Sequence, residues 1–127
     1  MKKILVIDDE VPVRKVIARY LEHGGFVVTG VGCADDAVAA VRRETFDLVI
    51  TDILLPDRNG IDLIQELDRM VPGLKSIAIS GGGQIPAGLY LESAENQGAS
   101  RSLQKPFDRG QLLEAVHALI GEPVTTV

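Results

Sequence analysis

Short apolar runs and stretches of helical period alternate along this chain, and the alternation already outlines its elements. Ile4 to Ile7 is a continuous apolar run of strand length, followed by Val13, Ile17 and Leu21 at helical spacing and then by Gly24 and Gly25 as a stop. Phe26 to Val31 reads as a second strand. Ala34, Ala37, Val38 and Val41 recur at i, i+3, i+4 and i+7, an amphipathic helix, and Phe46 to Thr51 follows as a third strand. Asn59 and Gly60 turn the chain into a helix carrying Ile61, Ile64, Leu67 and Val71, which Pro72 and Gly73 end before a strand at Lys75 to Ser80. After the glycines Gly81 to Gly83, Pro86 suits the first turn of a fourth helix reaching about Gln97, and Gly98 stops it before a short strand near Arg101 to Gln104. Asp108, with Gln111 three residues on, forms a capping-box pattern ahead of Leu112, Val116, Leu119 and Ile120.

Five strands alternating with five helices predict an α/β fold, a doubly wound five-stranded parallel sheet with helices on both faces, because parallel strands need crossovers and those are overwhelmingly right-handed. Residues 1–121 then form one domain and 122–127 a tail. At 127 residues the chain is long enough for one sizeable core.

Four of the apolar runs stop on residues suited to phosphate chemistry. Asp8 and Asp9 follow the first strand, Asp52 the third, Ser80 ends the fourth and Lys105 follows the fifth. The carboxyl ends of parallel strands lie along one edge of the sheet, where open α/β sheets bind ligands. Asp9 alone reads as an ordinary helix cap. Three converging carboxylates are different: they repel unless a cation neutralises them or a proton stays on one of them. Such an oxygen-rich set suits magnesium or manganese, which readily take phosphate oxygens as further ligands. Lys105 offers a point charge for a phosphoryl group, and the Ser80 hydroxyl a donor.

Composition narrows the classes. The net charge of −5 argues against bulk attraction to nucleic acid or anionic membranes. No apolar run approaches the ~20 residues that cross a bilayer, and Lys2 and Lys3 lead into a strand pattern instead of a cleavable leader, so a cytoplasmic location is expected. Cys33, the one cysteine, reads as a small, partly buried side chain.

With these residues in place, the sequence resembles the receiver domains of two-component response regulators, including the single-domain receivers of chemotaxis. The resemblance runs from ILVIDDE (Ile4 to Glu10) through DLVITDILLPDRNG (Asp47 to Gly60) and IAISGG (Ile77 to Gly82) to LQKPF (Leu103 to Phe107). It implies a flavodoxin-like strand order 2-1-3-4-5 and a cis bond from Lys105 to Pro106. It implies that Asp52 accepts a phosphoryl group from a sensor histidine kinase or histidine phosphotransfer protein. Asp8, Asp9, Asp52 and the backbone carbonyl of Leu54 would hold Mg2+, with Mn2+ able to substitute; Ser80 would be the switch hydroxyl and Lys105 the phosphoryl contact. A downstream protein target would read the fourth helix, fifth strand and fifth helix, a face also suited to a phosphorylation-dependent homodimer, with no direct nucleic-acid or membrane partner.

Two departures from the family pattern matter. Ser102 stands where an inward-turning aromatic ring is usual, and Leu54 and Gly82 occupy the positions that tune loss of the phosphoryl group. Without that ring, ordering of Gly81 to Gly88 is the expected carrier of the signal. Three functions are weighed. The first is a phosphorylatable receiver, either acting alone, as the lack of further domain pattern after Glu122 suggests, or cut from a larger response regulator or hybrid kinase. The second is a small aspartate-nucleophile phosphatase, which would want an acid where Leu54 stands. The third is a docking module that has lost its acceptor, which the intact Asp set argues against. His23 reads as a cation at a helix end, His117 as a residue on the wet side of the last helix, and Tyr90 as packing.

Overall fold

The structure, a computed structural model, describes residues 2–81 and 98–122. Gly82, Gly83, the helix expected from Pro86 to Gln97, Tyr90 and residues 123–127 lie outside them. The described elements are β1 (Lys3–Ile7), α1 (Val11–His23), β2 (Val27–Val31), α2 (Ala34–Arg43), β3 (Leu48–Asp52), α3 (Gly60–Met70), β4 (Lys75–Ser80), β5 (Arg101–Gln104) and α4 (Arg109–Ile120). The strands form one parallel sheet in the order β2-β1-β3-β4-β5. This is the doubly wound arrangement expected from the sequence.

Strand side chains alternate between two faces, and each face has its own apolar cluster. Ile4, Val6, Ile50, Ile77 and Ile79 meet Ile17 and Leu21 of α1 and Leu112 and Val116 of α4. On the other face Leu5, Ile7 and Val49 meet Ala34, Ala37 and Ala40 of α2 and Leu63 and Leu67 of α3. Two covered faces explain why the strands read as unbroken apolar runs. Truncating a fully buried residue such as Leu5 to alanine removes contacts the neighbours cannot restore, at about 2–5 kcal/mol.

Local chemistry sets the helix starts. The α4 capping box is complete: the Asp108 carboxylate accepts from the Gln111 N–H at 2.7 Å, and the Gln111 side chain accepts from the Asp108 N–H at 2.9 Å. Asn59 caps α3, its side-chain oxygen accepting from the Ile61 N–H at 2.7 Å. Gly60 follows because the chain doubles back here: its N–H reaches the Ile53 carbonyl at 2.7 Å, and a Cβ would collide with the Asp52 carbonyl. At α1 the capping position is Glu10, not Asp9, and no side chain caps it.

Some boundaries differ from the sequence pattern. Phe46 and Phe26 precede β3 and β2 and are buried instead in opposite clusters, so their bulk serves helix–sheet packing. β3 runs on to include Asp52. His117 is half-buried, not on the wet side, with its ring 6.1 Å from that of Phe26. Among the described residues no helix is long and apolar enough to cross a membrane.

Candidate functional site

The topology sets β1 beside β3 and β3 beside β4, so Asp8, Asp52 and Ser80 come to one edge of the sheet on three successive strands. Lys105 follows from β5. Its ammonium donates to Asp8 Oδ2 and to Asp52 Oδ2, each at 3.1 Å. Asp8 is 1% exposed and Asp52 7%, so both carboxylates are largely withdrawn from water and depend on protein partners. Asp8 Oδ1 accepts from the Glu10 N–H at 2.9 Å, and Asp52 Oδ1 from the Leu54 N–H at 3.1 Å. Burial pulls the Lys105 ammonium toward its neutral form, but the hydrogen bonds and negative charge of Asp52 and Asp8 together outweigh it. Its pKa is held above the ordinary lysine value.

Asp9 completes the acidic set from the rim. It is exposed, and one carboxylate oxygen from each of Asp8, Asp9 and Asp52 lies within 4.8 Å of the others. These are hard oxygen donors facing a cleft of about 470 Å³ lined by Asp9, Glu10, Val13, Asp52, Leu54, Gly81 and Lys105. The donor set fits a magnesium-like dication: three carboxylates on one side, and an open side for water or phosphate oxygens. A second, largely apolar cavity of about 500 Å³ adjoins it, lined by Pro12, Val16, Tyr20 and Phe107 and sharing Val13, Gly81 and Lys105.

Ser80 is buried at the end of β4, and its carbonyl accepts the Lys105 N–H at 2.8 Å, which ties the lysine backbone to the fourth strand. The peptide bond from Lys105 to Pro106 is cis. Leu54 leaves the sheet 56% exposed and lines the cleft, paired by an antiparallel bridge to Asn59. Ser102 lies opposite Ala78 in the β4–β5 register. Gly82 lies outside the described residues.

The loop after β3 is tied down by two residues whose part the sequence did not disclose. Asp57 accepts at both oxygens from the N–H groups of Ala34 and Asp35, each at 3.0 Å, so it caps α2 from across the molecule. The native capping residue, Cys33, supplies no such bond. These bonds, led by that from Ala34, hold the Asp57 carboxyl below its usual pKa despite the opposing effect of burial. Arg58 pairs with Glu66 at 2.9 Å and 3.2 Å, a bidentate contact that lowers the Glu66 pKa. The only signal in the sequence was negative: α2 begins on Cys33 and Ala34, which offer no oxygen to cap it.

Comparison with known proteins agrees with this geometry. The family model of the response regulator receiver domain matches residues 4–117. The chain is 33% identical over 120 residues to the DNA-binding transcriptional regulator NtrC of Bradyrhizobium sp., a match covering 94% of this chain and 24% of that protein. It is 32% identical over 111 residues to the transcriptional regulatory protein FixJ of Rhizobium meliloti, covering 87% of this chain and 53% of FixJ. Among solved structures, the receiver domain of NtrX from Brucella abortus superposes with a TM-score of 0.85 at 32% identity, covering 92% of this chain and 97% of that one. The chain thus spans between about a quarter and about half the length of these two regulators.

Proposed function

The chain belongs to the response regulator receiver family of two-component signalling, and from that premise we propose that Asp52 accepts a phosphoryl group from a phosphohistidine on a sensor kinase or phosphotransfer protein. The observation carrying this reading is Lys105, whose ammonium sits 3.1 Å from both Asp8 and Asp52, bringing nucleophile, acidic neighbours and counter-charge into one cleft. A bond forms from an Asp52 carboxylate oxygen to phosphorus as the bond to the donor imidazole nitrogen breaks, and that nitrogen keeps the electron pair. Positioning and charge neutralisation dominate such transfers, so little acid–base work is asked of the protein.

The chain's own groups divide that work. The Leu54 N–H, on Asp52 Oδ1, orients the carboxylate. Lys105, held charged, follows the negative charge onto the phosphoryl oxygens, and Ser80 is assigned the switch hydroxyl. Asp8, Asp9, Asp52 and the Leu54 carbonyl would hold Mg2+ or Mn2+, which when bound neutralises the phosphoryl oxygens. Phosphorylation adds charge at the sheet edge that biases the neighbouring loop between arrangements. A protein target, or a second copy, would read the result on the face that includes β5 and α4. The cytoplasm is the assigned location.

The phosphatase alternative lacks support at its decisive position, because Leu54 offers no acid two residues after Asp52. Incubation with a small phosphodonor and magnesium, followed by intact-mass spectrometry, should show one added phosphoryl group that Asp52→Asn or chelation abolishes. Undiminished modification of the Asp52→Asn protein would refute the assignment.

A further inference from the structure

β2 carries one glycine, Gly30, and a second, Gly32, follows the strand's last residue; neither backbone needs glycine, because neither adopts a positive φ. Glycine inside an edge strand costs backbone entropy and gives up a packing side chain, so Gly30 calls for a spatial reason. That reason is Arg14. An added Cβ at Gly30 would stand 3.2 Å from Arg14 Cδ and 3.3 Å from Cγ, and one at Gly32 would stand 3.2 Å from Arg14 Nη1. Gly30 in β2 and Gly32 just past its end form a trough in which the arginine of α1 lies lengthwise.

The trough delivers the guanidinium to one acceptor. Arg14 Nη1 donates to the Asp8 carbonyl at 2.8 Å, while the Asp8 N–H makes the ladder bond to Val31 O at 3.1 Å. Asp8 is therefore held at four points: its N–H by β2, its carbonyl by Arg14, its Oδ1 by the Glu10 N–H and its Oδ2 by Lys105. The Arg14 bond ties the turn to α1, and a charged donor makes it roughly twice as strong as a neutral one.

We propose that Arg14, seated on Gly30 and Gly32, is a positioning residue that fixes the turn bearing Asp8 and Asp9 and thereby sets the affinity of the acidic cluster for its dication. The proposal rests on the reading of that cluster as the cation site. Groups that orient ligands commonly change metal affinity by about 10–100-fold when removed. Arg14 acts on a ligand's backbone and not on its carboxylate, so a loss of roughly tenfold is expected.

The test measures Mn2+ affinity by electron paramagnetic resonance for the whole chain and for Arg14→Met, Arg14→Lys, Gly30→Val, the Arg14→Met/Gly30→Val double variant and Asp9→Asn. Thermal melts run alongside. Arg14→Met should weaken Mn2+ by roughly tenfold and Arg14→Lys by less. Gly30→Val, which keeps the guanidinium and fills its trough, should weaken it comparably. The double variant should be no weaker than Arg14→Met, because both act through one bond. Wild-type affinity in Arg14→Met, or additive losses in the double variant, would overturn the proposal. Undiminished binding by Asp9→Asn, or none by the wild type, would instead sink the cation-site reading. In that case hydrogen exchange at the Glu10 amide, without metal, decides Arg14 separately: faster exchange in Arg14→Met with Leu5 and Ile7 unchanged upholds its hold on Asp8, and unchanged exchange refutes it.

Discussion

Replacing Lys105 with methionine keeps most of the side-chain bulk and removes the charge that two buried carboxylates share. Each 3.1 Å pair contributes an attraction of about 5 kcal/mol at an effective dielectric of about 20, much of it cancelled by the cost of desolvating the ions. Deleting one partner of a buried pair costs about 3–5 kcal/mol, because the other is left uncompensated. The Lys105 side chain keeps 18% of its exposure, so we take the lower end, about 3 kcal/mol. For a chain of this size that corresponds to a melting point lower by roughly 10–15 °C in chelator. Magnesium should restore part of the loss. Without the ammonium the ion no longer competes with Lys105 for Asp8 and Asp52, and a tenfold gain in magnesium affinity would return about 1.4 kcal/mol. The gap between the two proteins should then shrink to roughly half in saturating magnesium, read from circular-dichroism melts with and without the ion. A gap of equal size in both conditions would show that Lys105 stabilises by packing and not by balancing the cluster.

Asp57→Asn should lower stability at neutral pH by about 0.5–1 kcal/mol, since the cap it weakens is exposed. Because folding lowers the Asp57 pKa, its contribution is complete above the unfolded value of about 4 and is lost as pH falls through the folded one; urea melts of the two proteins should therefore converge in acid. Parallel curves down the whole range would refute the cap's role. Gly60→Ala forces a Cβ into the Asp52 carbonyl and should cost about 1–3 kcal/mol or displace the acceptor loop, seen as a lower melting point together with slower phosphorylation. An unperturbed Gly60→Ala protein would show that the loop has slack.

The strands were legible because both faces of the sheet are covered, so each strand appears as an apolar run whose polar end coincides with the functional edge. Asp8, Asp9, Asp52, Ser80 and Lys105 could be placed from that rule alone. The α4 capping box was also legible, since both of its partners fall within one turn. What escaped depends on the register between distant segments. Asp57 caps a helix that starts 23 positions earlier, and nothing local to residue 57 announces it. Arg14 resembles any surface arginine of an amphipathic helix until Gly30 and Gly32 are laid beneath it. Phe46 and Phe26 were assigned to strands because apolar runs do not show where pairing stops and helix contact begins.

The lysine that balances the cluster lies 97 positions from Asp8 and 53 from Asp52. Synthesis from the amino terminus therefore makes both acidic strands well before their counter-charge, and β5, at the sheet's edge, brings that charge last. Any partly assembled state with β1 and β3 paired but β5 undocked would gather carboxylates without the lysine that pairs with them. Such a state is penalised by repulsion in addition to the entropy of closing a long loop. Docking of the edge strand and neutralisation of the cluster are then a single cooperative event. Magnesium in the refolding buffer should act as a surrogate for Lys105, speeding the step in which the acidic strands come together.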